Sequence, residues 1–193
     1  MKKIIYATIY LLFFQASYTQ NKGVENSIFN IQTGVLGLWV NNETKIINNL
    51  TLESEIGLDA GIWDGYNYEK TGFQMTPVIK VAPKWYYNIN KRIIKKRNTL
   101  NNGANFFTLS LDYHPDLFVI SNYKNIRTFN QIAIIPKWGI RRNIGNTNFN
   151  YEIGIGLGYR YYLLKQHGYT QNDGNVTLDF QLRIGYTFKK QKI

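Results

Sequence analysis

Along most of the chain apolar and polar residues alternate one by one. That is the period of two a β-strand imposes, and no stretch keeps the spacing of an amphipathic helix. Seven segments carry the alternation: 29–40, 50–63, 77–90, 105–114, 131–142, 149–162 and 176–188. In 149–162, Phe149, Tyr151, Ile153, Ile155, Leu157, Tyr159 and Tyr161 oppose Glu152, Gly154, Gly156, Gly158 and Arg160. In 29–40, Phe29, Ile31, Thr33, Val35 and Trp39 share one face, against Asn30, Gln32 and Gly34. Turn-rich stretches at 41–49, 64–76, 91–104, 115–130, 143–148 and 163–175 separate the segments. Each segment is 10 to 14 residues long. Ordinary strands average about 5–6 residues, and a tilted strand crossing a membrane needs about 9–11.

Alternation alone fits a closed sheet with either an apolar or a polar interior. Residue size separates the two. Eight of the sixteen glycines lie on the polar face, at 34, 57, 61, 139, 154, 156, 158 and 185, while the apolar face carries the bulk. The inside of a small barrel is only just wide enough for its side chains. The bulky apolar face therefore looks outward, toward lipid. Aromatic residues near the segment ends form two interfacial girdles: Trp39, Trp63, Trp85, Tyr113, Trp138, Tyr161 and Phe188. The predicted fold is all-β, a single antiparallel up-and-down transmembrane β-barrel with a polar, plugged lumen. A soluble secreted β-barrel carrying a hydrophobic ligand is the competing reading. Pro83 and Pro136 each remove a ladder hydrogen bond, which predicts a bulge or a rim position at each.

Composition now adds charge and compartment. With 23 Lys+Arg against 12 Asp+Glu the formal net charge is +11, which first suggests nucleic acid or an anionic membrane surface. The chain has no Cys, so disulfides and thiolate metal sites are excluded. Residues 1–19 have a basic start at Lys2-Lys3, an apolar run from Ile4 to Phe14, and small residues at Ser17 and Thr19. That is the layout of a cleaved signal peptide, leaving 20–193 as one domain. Export argues against nucleic acid. The remaining charges sort by position. The polar faces hold Lys80, Lys84, Lys137, Arg141, Arg160 and Arg183 against Glu53, Glu55, Asp59, Asp112, Glu152 and Asp179, six of each sign. Equal numbers in a narrow lumen predict a salt-bridge network that closes it, because buried charges must be paired. One rim holds Glu43 and ten cations: Lys45, Lys91, Arg92, Lys95, Lys96, Arg97, Arg142, Lys189, Lys190 and Lys192. The other rim, with Lys22, Glu25, Asp64, Glu69, Lys70, Asp116, Lys124, Arg127, Lys165 and Asp173, balances to zero.

The leader ending Ser17-Tyr18-Thr19-Gln20, the aromatic strand ends and the last strand Leu182-Arg183-Ile184-Gly185-Tyr186-Thr187-Phe188 together resemble small outer-membrane β-barrel proteins of the Bacteroidota type. The resemblance implies the cell outer membrane as location and its lipids as surroundings. It implies biogenesis by the barrel-assembly machinery, which reads a closing aromatic such as Phe188, although five residues follow it here. It also implies a monomer with both termini on the periplasmic side, the basic rim among them, and no particular ligand. Bacterial single-chain barrels have an even number of strands. Splitting 27–47 near Leu36-Gly37 makes eight and brings the N-terminus to the basic rim.

Chemistry is sparse. Ser110, Asp112 and His114 share one face of one strand, but same-face neighbours lie about 6.6 Å apart. A triad needs contacts of about 2.6–3.2 Å. A membrane-embedded lipid acyl hydrolase built on these residues is the enzymatic alternative to a non-enzymatic barrel with a structural or surface-interaction role. His167 lies in a loop, no metal spacing occurs, and the Gly154-Gly156-Gly158 pattern lies inside a strand rather than before a helix. No cofactor is predicted.

Overall fold

The structure is a computed structural model that describes residues 23–188 apart from positions 36, 64–70 and 125. The leader, Lys189 and Lys190 lie outside the described residues, as does the side chain of Trp63. The strands are β1 (Ser27–Gly34), β2 (Gly37–Ile47), β3 (Leu50–Trp63), β4 (Gly72–Trp85), β5 (Asn105–His114), the two-residue β6 (Ile120–Ser121), β7 (Gln131–Asn143), β8 (Phe149–Tyr162) and β9 (Asp173–Phe188). One short helix, α1 (Ile89–Ile94), lies between β4 and β5. Each long strand pairs antiparallel with the next, and β9 returns to pair with β1, so eight strands close a ring. The two-residue β6 sits against Gln74 and Met75 of β4.

The stretch 27–47 is two strands, as parity requires. Gly34 pairs with Gly37 across the turn. Gly37 has φ +148, and a Cβ there would overlap the Leu58 carbonyl oxygen, so the position takes only glycine. The reversal corrects one face. Opposed residues of a hairpin share a side, and Trp39 opposes Gln32. Trp39 therefore lies inside the ring, 4% exposed, and not on the outer face with Phe29 and Ile31.

Other boundaries also move. The alternation read at 77–90 belongs to 72–85, because Gly72–Pro77 continues the ladder against Leu58–Trp63. Beyond Trp85 the chain leaves the sheet. Ile89 and Ile93, four apart, turn the apolar side of α1 onto Tyr86, Ala104 and Phe106. The two prolines act without bulges. Pairing of β4 with β5 omits Ala82 and Pro83, and pairing of β7 with β8 omits Ile135 and Pro136, yet the register on either side is unchanged. Thr108 Oγ1 donates to the Pro83 carbonyl at 2.8 Å and restores one bond.

The ring has two unlike ends. The terminal rim carries the start of β1, the end of β9, the turns at 48–49 and 144–148, and the segment 86–104. Val24, Tyr86, Ile89, Ala104 and Phe106 form a buried apolar cluster that closes this end. The loop rim carries the tip of the β1–β2 hairpin, the end of β3, the start of β4 and the connections 115–130 and 163–172. Two of these pack together: Phe129 meets His167 and Tyr169 edge-on, and Asp116 lies 3.7 Å from His167.

Candidate functional site

Side chains that alternate inward on a closed sheet meet in its middle. Every charged residue predicted for the lumen is on the inward face, and most are buried. One residue was misplaced by sequence. Glu43 was assigned to the basic rim, but it is fully buried inside the ring because β2 continues to Ile47. The interior therefore holds seven carboxylates against six Lys and Arg side chains. The terminal rim loses Glu43 but takes Glu25, predicted for the other rim, because the extra strand brings the start of β1 to this end, where Glu25 accepts the Asn101 N–H at 2.8 Å.

Nearest the terminal rim, Arg141 joins opposite walls. It reaches Glu43 Oε2 at 2.6 Å across the ring, and its Nε donates to Glu152 Oε2 at 2.6 Å. Lys84 Nζ sits 2.6 Å from Glu53 and 2.9 Å from Glu152. Glu43 also accepts from Thr51, Asn102 and Tyr86 at 2.8, 2.7 and 3.1 Å. Burial first, and the neighbouring carboxylates after it, push the Tyr86 phenol well above its ordinary value, against the pull of Arg141. It therefore stays a donor. Such multiply hydrogen-bonded pairing is what allows charges to be buried.

Toward the loop rim a second group forms. Arg183 contacts Glu55 at 2.6 Å, and its Cζ sits over the Trp39 ring, 3.8 Å from the centroid. Lys80 lies 3.6 Å from Glu55 and 3.2 Å from Asp59. Asp59 also receives the Trp39 indole N–H at 2.6 Å and meets His114 Nε2 at 2.8 Å. Lys137 pairs with Asp179 at 3.0 Å. Asn30, Gln32, Asn41, Asn150 and Thr187 extend the polar packing, with Asn41 donating to both Gln32 and Glu55. Inward glycines make this possible. A Cβ at Gly57 would overlap the Trp39 ring, and one at Gly139 would overlap the Phe106 ring.

The three residues considered for a triad part company. Ser110 Oγ donates to Asp112, while His114 turns to Asp59 on β3. Among the described residues no bond joins Ser110 to His114, so they form no nucleophile–base relay. No group of side chains among the described residues has metal-ligand geometry.

Beyond the second charge group a cavity of about 440 Å³ opens toward the loop rim. Its polar lining includes Trp39, Asp59, Lys80, His114, Gln131 and Arg160. Arg160 was predicted to join the lumen network, but it forms no ion pair among the described residues. The chamber is not legible in the chain, since it depends on how inward side chains of several strands meet across the ring beside the short β1–β2 hairpin.

Outside, Trp85 stacks on Phe107 near the terminal rim with Tyr87 tilted against both, and Trp138 Nε1 donates to the Tyr87 hydroxyl at 3.1 Å. Phe188 joins Phe29 and Tyr186 there. Tyr113 and Tyr161 face outward near the loop rim. Lys91, Arg92, Lys95, Lys96 and Arg97 cluster on α1 and the turn after it, with Arg142 close by at the end of β7. Partial burial and the nearby Arg97 lower the Arg92 guanidinium from its usual value.

Comparison of the chain with family models, curated proteins and solved structures finds no match.

Proposed function

We propose that the protein is an integral outer-membrane β-barrel with a structural or surface-interaction role and no enzymatic activity. The observation that carries the reading is an inversion of the usual globular arrangement. Leu, Ile, Val and aromatic side chains stand exposed on the outer face of every long strand, while Glu, Lys, Arg and Asn fill the inside. A water-soluble fold would bury the first set and expose the second. A ring whose outside faces hydrocarbon needs this inversion, and closure leaves few backbone groups unpaired in lipid. A carrier of hydrophobic ligands would need an apolar interior; the charged interior favours the membrane reading.

In this reading the basic terminal rim faces the periplasm, and the loop rim, with its longer connections, faces outward. The lumen is blocked by salt bridges and by the cluster around Phe106. The protein is then no open pore. Bacteria expressing the chain should yield it in the outer-membrane fraction. It should migrate faster on gels before boiling than after. Recovery in the soluble periplasmic fraction with unchanged mobility would sink the proposal.

A further inference from the structure

The wall of the ring is incomplete on one side. The β1–β2 hairpin reaches only as far as Gly34 and Gly37, which lie level with Arg183 of β9 and Asp59 of β3. Both neighbours continue toward the loop rim: β9 by Asp173–Leu182, β3 by Ala60–Trp63. Among the described residues no strand pairs with the edges that these stretches turn toward the hairpin. A notch therefore cuts down from the loop rim to the hairpin tip.

The outer side chains of β9 register the missing neighbour. Val176, Leu178 and Phe180 are 69%, 64% and 63% exposed, whereas Ile153 and Ile155, flanked by strands on both sides, are 46% and 47%. The notch does not cut through polar surface. Apolar residues continue along β9 to Val176, so the gap lies within the band that faces lipid in the proposed orientation.

The interior chamber opens into this notch. One cavity is lined both by inward groups, Asp59, His114 and Arg160, and by wall residues at the gap, Val35, Leu178 and Phe180. Inside a sealed wall those two sets could not share a cavity. Its volume, about 440 Å³, falls in the range of small-molecule sites. Most charges in the lining are already satisfied: Asp59 by Lys80 and His114, Asp179 by Lys137, and Arg183 by Glu55. Arg160 differs. It has no carboxylate partner among the described residues, and its buried Nε has no hydrogen-bond acceptor. The buried Nδ1 of His114 and Oε1 of Gln131, from two more lining residues, are also without partners.

We infer that the chamber binds a single-chain amphiphile. Its anionic head, a carboxylate or a phosphate, lies against Arg160, and its acyl chain leaves through the notch between β9 and the β1–β2 hairpin. A half-buried guanidinium with no carboxylate partner among the described residues selects an anion. An apolar-flanked gap accepts a hydrocarbon chain, and lateral access spares that chain a passage through water. The lateral route rests on the membrane reading above; the binding site itself does not.

The test uses the whole chain refolded in a non-ionic, unbrominated detergent, with Trp85, Trp138 and Trp63 changed to Phe so that Trp39 reports alone. Dibromostearate, a dibrominated lysophosphatidic acid and the matching dibrominated alcohol are added in turn. Saturable quenching of Trp39 at one molecule per chain is expected for the acids and not for the alcohol. The fatty acid and the lysophospholipid arms show which head is preferred. Arg160→Gln should weaken binding at least tenfold, and Arg160→Lys should restore part of it. Gly61→Phe should abolish binding by filling the chamber; a Cβ there meets only the Gln74 side chain, at 3.5 Å, so the variant has room to fold.

Equal quenching by the alcohol, unsaturable quenching, or unchanged affinity in both Arg160→Gln and Gly61→Phe overturns the proposal. Strand-like addition of a second copy to the free edges would appear as a dimer whose formation blocks quenching, and it too would overturn it. Gel mobility before and after boiling is read on every sample. A mobility shift without saturable binding sinks only this inference, whereas binding without a shift sinks the membrane reading.

Discussion

At Arg141 three carboxylates converge, and Glu43 and Glu152 are each held at 2.6 Å. Removing one partner of a buried ionic group costs more than the group contributes when intact, because the other charges are left without water or counter-ion. Arg141→Met is therefore expected to destabilise the folded ring by about 3–5 kcal/mol. The measurement is the urea midpoint at which the fast-migrating band disappears. Adding Glu43→Gln to that variant should recover part of the loss, since it removes one uncompensated charge. Packing gives a second prediction at this scale. A Cβ at Gly139 would overlap the Phe106 ring, so Gly139→Val should cost about 1–3 kcal/mol as an overpacked site. In the double variant with Phe106→Ala the loss should be smaller than the sum of the two single losses, because the valine then enters space the ring has left. Strictly additive losses would show that Gly139 is needed for something other than ring space.

Among the elements, α1 and the β1–β2 hairpin matter most. The helix was hidden from the alternation because Tyr87 and Ile89 continue the period of two past the end of β4. Its helical pair Ile89 and Ile93 spans too short a stretch to stand out. With Glu43 drawn inside, the helix and the turn after it present five basic residues with no acid among them, Lys91, Arg92, Lys95, Lys96 and Arg97. Changing all five to Gln should leave gel mobility unchanged. It should reduce binding of the refolded protein to vesicles rich in phosphatidylglycerol, and the difference should shrink at high salt. Equal vesicle binding by both proteins would mean that the cluster only solvates the rim. In the hairpin, Gly37→Val adds a Cβ where φ is +148 and the Leu58 carbonyl is in the way. The closing pair of β1 with β9 should then weaken, read as faster deuterium uptake at Phe29–Gly34 than in β8.

For the molecule as a whole, the two rims make orientation testable. Lys124 and Arg127 lie in the 115–130 connection of the loop rim, and Arg142 lies at the 144–148 turn of the terminal rim. Trypsin added to intact cells is expected to cut at the first and to spare the second. Cutting near Arg142 in intact cells, with 115–130 protected, would reverse the orientation. The formal charge of +11 changes meaning at this scale. It does not describe a uniformly basic surface, because the interior holds slightly more acid than base and the loop rim is balanced. The excess gathers at one end and marks direction.

Much of this was fixed locally and so was legible in the chain. A period of two over 10 to 14 residues dictates long strands, and glycine on the polar face with bulk on the apolar face dictates which side is inward. Hence β3, β5 and β8 and nearly all the interior charges follow from order alone. The tertiary structure decided what depends on partners. Trp39 turned inward because a two-residue reversal sets the face of β2 through its pairing with β1. Glu43 became an interior residue because β2 runs on past the point where the alternation fades. Arg160 went unpaired because no carboxylate of another strand comes within reach among the described residues. The notch, too, arises from a comparison of strand lengths across the closed ring. A sequence states each strand's pattern, whereas only the assembled ring states which strand stops short beside a longer neighbour.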